Sequence, residues 1–142
     1  MKRLILSVLL LPLAGLAGSH GADPSATNLV EVRSGEWPIN LERDIDRRDT
    51  SYNLIYRDQS VVSGIVLDTL PFADLGQLKY FGKALSTLKT ANNGDIAKFK
   101  DYSIKRTDKK GEGTWYMLRY QWGLTDFRQP EADIMIGAIR KL

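Results

Sequence analysis

Polar and apolar positions alternate most regularly from Ser51 onward. Tyr52, Leu54 and Tyr56 fall on one side of a period of two, with Asn53, Ile55 and Arg57 on the other, the pattern of a half-buried strand. Asp58-Gln59-Ser60 reads as a tight turn, and the β-branched run over residues 61–69 as the return strand of a hairpin. Beyond Pro71 the period lengthens. Leu75, Leu78, Phe81, Leu85 and Leu88 recur at spacings of three and four, one apolar stripe of a helix predicted over residues 72–91. Gly76 and Gly82 each weaken that helix by about 1 kcal/mol relative to alanine, and close packing against the sheet is the use expected of them. Asn92-Asn93-Gly94 tolerates the left-handed conformation and marks the stop.

Two further strands are predicted over residues 96–107 and 114–121, joined by the turn-rich 108–113. In the second, Thr114, Tyr116, Leu118 and Tyr120 share one face, and Trp115, Met117 and Arg119 the other. Trp122-Gly123 turns the chain into a short strand over 124–128. The last helix opens on Pro130 with Glu131 and Asp133, closes on Arg140 and Lys141, and buries Ala132, Met135, Ile136 and Ile139, in keeping with its dipole. Residues 22–50 read as a partly irregular lead-in, with a short strand around Leu29, Val30 and Val32 and a charge-dense run over 42–49. The folded domain is thus expected over 51–142. It is an α+β, two-layer fold with a mostly antiparallel sheet of about five strands and two helices packed on one face, in the order ββαβββα. No internal repeat is evident in the sequence.

The N-terminus changes the picture of where this domain works. Met1-Lys2-Arg3 precedes a largely apolar run over 4–13 and a small-residue stretch over 14–22, the three parts of a cleavable secretory signal, assigned to residues 1–21. The run is shorter than the roughly 20 residues that span a bilayer, and Pro12, Gly15, Gly18 and Gly21 interrupt any longer helix, so no transmembrane anchor is expected. With no cysteine at the cut, no lipid anchor is expected either. A periplasmic or secreted protein follows.

Cleavage also changes the charge. The chain has 20 Lys+Arg and 17 Asp+Glu; losing Lys2 and Arg3 leaves 18 against 17, a formal +1. A nucleic-acid partner calls for a clustered basic excess, so none is expected. Without cysteine there is no disulfide framework, and the one histidine, His20, lies in the cleavage zone. The mature domain therefore lacks thiol and imidazole chemistry and the nitrogen and sulfur ligands that zinc and copper prefer, and no cofactor is expected.

Several constellations were weighed as sites. Asp44, Asp46 and Asp49 suggest a calcium loop, but Arg43, Arg47 and Arg48 would neutralise it and the EF-hand spacing is missing. Ser86-Thr87-Leu88-Lys89 matches the Ser-x-x-Lys string of serine acyl-enzymes without its companion motif. The basic segment Lys98, Lys100, Lys105, Arg106, Lys109 and Lys110 is interrupted by Asp95, Asp101 and Asp108, as on a charged edge that blocks strand addition. The outer sheet face is the least ordinary feature. Ile55, Arg57, Trp115, Met117 and Arg119 would share it, a mixture that interfaces favour. The expected function is a non-enzymatic exported binding domain with a protein, or a second copy of itself, as partner. A small carboxylate-dependent hydrolase, or an inhibitor acting through residues 108–113, are the alternatives.

Overall fold

The computed structural model describes residues 25–142; the expected signal peptide and His20 lie outside the described residues. The chain forms β1 (Ala26–Ser34), β2 (Trp37–Asp46), β3 (Asp49–Arg57), β4 (Leu67–Phe72), α1 (Leu75–Leu88), β5 (Ile96–Lys98), β6 (Tyr102–Lys109), β7 (Gly113–Tyr120), β8 (Gly123–Arg128) and α2 (Gln129–Arg140). The class is α+β and the pairing antiparallel, as expected. The topology differs from expectation. Two four-stranded sheets, β1-β2-β3-β4 and β5-β6-β7-β8, take the place of one sheet, and the order is ββββαββββα.

Three local causes account for the difference. First, residues 26–46 form a long hairpin where a lead-in was expected. Its alternation is masked by a register shift between Asn28 and Val30 and by Ser34 and Arg43 on the inner face, so that only Val32, Ile39 and Leu41 are buried apolar residues there. A bulge of this kind moves the side-chain phase by one and breaks the period that a sequence pattern relies on. Second, the predicted strand 96–107 is two strands. Phe99 N–H donates to the Tyr102 carbonyl at 2.8 Å, folding the chain back through Lys100-Asp101. Third, the return strand starts at Leu67, because Gly64 adopts φ +87° and releases residues 58–66 as a loop.

The two helices form close to where the apolar stripes place them. Asp74 caps α1 by accepting from Gln77 N–H at 2.8 Å, while Gln77 Oε1 accepts from Ala73 N–H at 3.0 Å. That reciprocal cap sets the helix start after Phe72, which belongs to β4. α2 begins one residue before Pro130, with Glu131 in its first turn and Arg140 in its last.

Each sheet is paired with its own following helix and with the other half's helix as well. α1 lies on β3 and β4 and also on β5 and β6; α2 lies on β7 and β8 and also on β1. The helices meet at Gly82, where a Cβ would stand 3.2 Å from Ile139 Cγ2, so this glycine permits a helix–helix approach rather than the expected helix–sheet one. The buried side chains form one core: Tyr52, Leu54 and Tyr56 on β3, Tyr116 and Leu118 on β7, and Phe81, Leu85, Met135 and Ile139 on the helices.

The halves repeat one another in register. Tyr52, Leu54 and Tyr56 pair with Phe72, Leu70 and Asp68, while Tyr116, Leu118 and Tyr120 pair with Phe127, Thr125 and Gly123. On the other side, Arg43 and Leu41 oppose Tyr52 and Leu54 as Arg106 and Ile104 oppose Tyr116 and Leu118. A Tyr-x-Leu-x-Tyr strand between an arginine strand and a phenylalanine strand thus occurs twice, an internal repeat that is not evident in the sequence.

Candidate binding surface

The five residues expected to share an outer face are divided between the sheets. Ile55 and Arg57 stand on β3 and Trp115, Met117 and Arg119 on β7, each on the side of its strand that alternates away from the buried residues. Arg57 stacks over Trp37 with its guanidinium carbon 4.2 Å from the ring centroid. Trp115 is half-buried under Lys109, whose ammonium stands 3.9 Å from the ring centroid. Two aromatic faces that could have met a ligand are therefore covered by cations of this chain. Arg119 is exposed.

What the fold exposes instead lies at one end, where the β3–β4 loop and the β7–β8 turn stand side by side. Val62 is 98% exposed, Trp122 92% and Ile65 62%, with Val66 and Leu67 also exposed. The loop has no charged residue from Gln59 through Leu67. Scattered exposed leucines and valines are ordinary, but several gathered on one loop beside an exposed tryptophan turn that is hydrogen-bonded to it are not.

The base of this end is held by hydrogen bonds across the two sheets. Asp58 N–H donates to the Val66 carbonyl at 2.8 Å and closes the loop; Gln59 N–H donates to the Leu124 carbonyl at 2.7 Å and ties it to β8. The Asp58 carboxylate accepts from Ser60 N–H at 2.9 Å, Ser60 Oγ at 2.7 Å and Leu124 N–H at 3.0 Å. The Ser60 hydroxyl and these backbone donors hold it below the usual carboxylate range. Ser60 Oγ also reaches the Trp122 carbonyl at 3.3 Å, so the loop and the tryptophan turn are joined directly. Below them, Gln59 Nε2 donates to Ser34 Oγ at 2.7 Å, and Ser34 Oγ donates to Asp126 Oδ1 at 3.0 Å. The apolar residues are thus displayed on a fixed base.

A concavity runs along α1. Two adjoining cavities of about 480 and 470 Å³ share Tyr80 and Phe99, one bounded by β5 and the other by Phe72, Tyr102 and Tyr120.

The other weighed constellations resolve into structural contacts. Lys89 of the Ser-x-x-Lys string donates to Asp133 Oδ1 at 2.9 Å, joining α1 to α2. Asp44 accepts from Ser25 Oγ at 2.6 Å, and Asp46 opposes Asp49 across the β2–β3 turn; among the described residues no three acidic or imidazole side chains converge as a metal site would need. Arg106 turns inward to donate to the Leu88 and Lys89 carbonyls at 3.0 and 2.7 Å, leaving Lys98, Lys105 and Lys109 on the outer face of β5 and β6. Gly64 was the sequence signal for the exposed loop: a Ser-Gly pair inside a β-branched run breaks the strand it interrupts. The chain matches no protein-family model and no curated protein sequence.

Proposed function

We propose that this chain is an exported, non-enzymatic binding domain that engages its partner through the end formed by Val62, Ile65, Val66, Leu67 and Trp122. The observation that carries the reading is the near-complete exposure of Val62 and Trp122 on a base closed by Asp58, Gln59 and Ser60. Leaving large apolar side chains in water forgoes about 25 cal/mol for each Å² that burial would remove, and a preorganised display lowers the ordering cost of a contact. Of the five outer-face residues, Arg57 pairs directly with Leu67 and Arg119 with Leu124, so both stand at the base of this end.

Six aspartates are tied into the fold by hydrogen bonds. Asp58, Asp68, Asp74, Asp108, Asp126 and Asp133 all accept hydrogen bonds from groups of this chain.

Site-specific photo-crosslinking in the envelope fraction of the producing cell tests the reading. A crosslinking amino acid at Val62 is expected to yield a defined adduct, and one at Glu112, on the opposite end of β7, none. Adducts from position 112 alone would replace this reading with the inhibitor-type hairpin. Adducts from neither position, to protein or to lipid, would remove the binding surface altogether.

A further inference from the structure

Resting on that reading, we infer that the apolar end docks on the surface of an anionic lipid bilayer, with Val62, Ile65 and Trp122 entering the interface. Shape favours a bilayer over a protein. Val62 at 98% and Trp122 at 92% exposure project with almost no neighbouring surface of their own, so a rigid partner would need a cleft to enclose each one. A bilayer interface closes around any protrusion, and it is the environment in which tryptophan concentrates. The chemistry agrees. Nine consecutive residues, 59–67, are uncharged, so the loop can approach the acyl boundary without dehydrating an ion. The Asp58 N–H to Val66 C=O bond closes the base of the loop and holds its apolar tip outward.

Charge completes the match and selects the lipid. Arg57 and Arg119 stand behind the apolar end, at the level of headgroups. Toward this end the outer face of the second sheet carries Lys98, Lys105 and Arg119 in register against Asp126, while Lys109 and Arg128 lie toward its far end, Arg128 paired with Glu131. A cationic face adjoining an apolar tip is attracted to a negative surface before the tip inserts.

The chain from Ser25 onward contains both sheets and both helices and excludes the apolar run at residues 4–13, which would itself partition into lipid. Flotation of this chain with vesicles of phosphatidylcholine plus phosphatidylglycerol is expected to carry it with the lipid, and pure phosphatidylcholine to carry at least tenfold less. Val62→Asp with Ile65→Asp, both at exposed positions, is expected to lower binding at least tenfold while leaving the thermal melt unchanged. Brominated acyl chains are expected to quench wild-type fluorescence, and the quenching to disappear in Trp122→Phe. Equal flotation of the double variant, or no flotation of wild type, overturns the lipid assignment. In the second case, a self-associated wild type that the double variant returns to monomer by sedimentation would keep this end as a binding surface with a second copy as occupant. An unchanged mass, together with no crosslink from position 62, would overturn both readings.

Discussion

Asp58 shows how much a single acceptor can organise. Its carboxylate receives donors from its own loop and from β8 of the other half, so Asp58→Ala leaves several of them without a partner. The expected cost is about 1–3 kcal/mol, read as a lower midpoint in urea. Because its native pKa is lowered, the stability it contributes is complete above the ordinary carboxylate range of about 4 and is lost as pH falls through the native value. Tyrosines set the alkaline limit. Burial, and then the Asp68 carboxylate beside it, raise the Tyr56 hydroxyl well above its usual value, and burial alone raises Tyr102. Both remain protonated in the fold where the unfolded chain ionises, so stability is expected to fall as pH rises past about 10, with the tyrosinate absorbance appearing together with unfolding. Gly123 is the counterpart of Asp68 in the repeat and lies against it; a Cβ there would collide with that carboxylate. Gly123→Ala is expected to destabilise by about 1–3 kcal/mol, measured by thermal melting. None of this was readable from sequence. Asp58 beside Arg57 looks like a solvated pair until the fold brings Leu124 to it, and Gly123 looks like a turn glycine although its neighbours supply the reason for it.

At the level of elements, α1 is the best-determined piece. Its stripe of Leu78, Phe81, Leu85 and Leu88 is buried as the spacing predicts, because a period near 3.6 is a local property that needs no knowledge of the partner surface. Its ends are set less locally. Asp74→Ala is expected to cost about 1 kcal/mol through loss of the N-cap. The other end depends on Arg106 from β6, 14% exposed, which donates to the last carbonyls of the helix. Arg106→Met removes charge-assisted hydrogen bonds and is expected to cost about 1.5–3 kcal/mol, with faster amide exchange at Leu88 and Lys89 than elsewhere in the helix. Gly82→Leu tests the helix–helix approach. It improves helix propensity yet forces Ile139 aside, and a net loss of about 1–3 kcal/mol is expected in chemical denaturation. The strands were harder. β3 and β7 alternate cleanly because each is the third strand of its sheet, with one face buried under helices along its length. β1 bulges, β5 is only three residues long, and β2 carries Arg43 on the same face as its buried Ile39 and Leu41, so none of these carries a readable period.

On the scale of the whole molecule, neither half can cover its own sheet. α1 reaches over β5 and β6, and α2 over β1, so the core is shared between segments far apart in the chain. Unfolding in guanidinium is therefore expected to be one transition, coincident by circular dichroism and by tryptophan fluorescence. Fragments 25–94 and 95–142 are each expected to lack stable structure alone by circular dichroism. The repeat was invisible to composition and spacing because its matching positions are so few: two tyrosines, a leucine, a phenylalanine and an arginine, separated by connections of unequal length. After β3 the connection holds nine residues, 58–66, and after β7 only two, Gln121 and Trp122. Since the entropy of closing a loop grows only slowly with its length, the short turn is a place where a second long loop could be grafted. A chain so altered would present two hydrophobic fingers from one rigid palm, and the second would meet its target at a local concentration fixed by the scaffold rather than by diffusion.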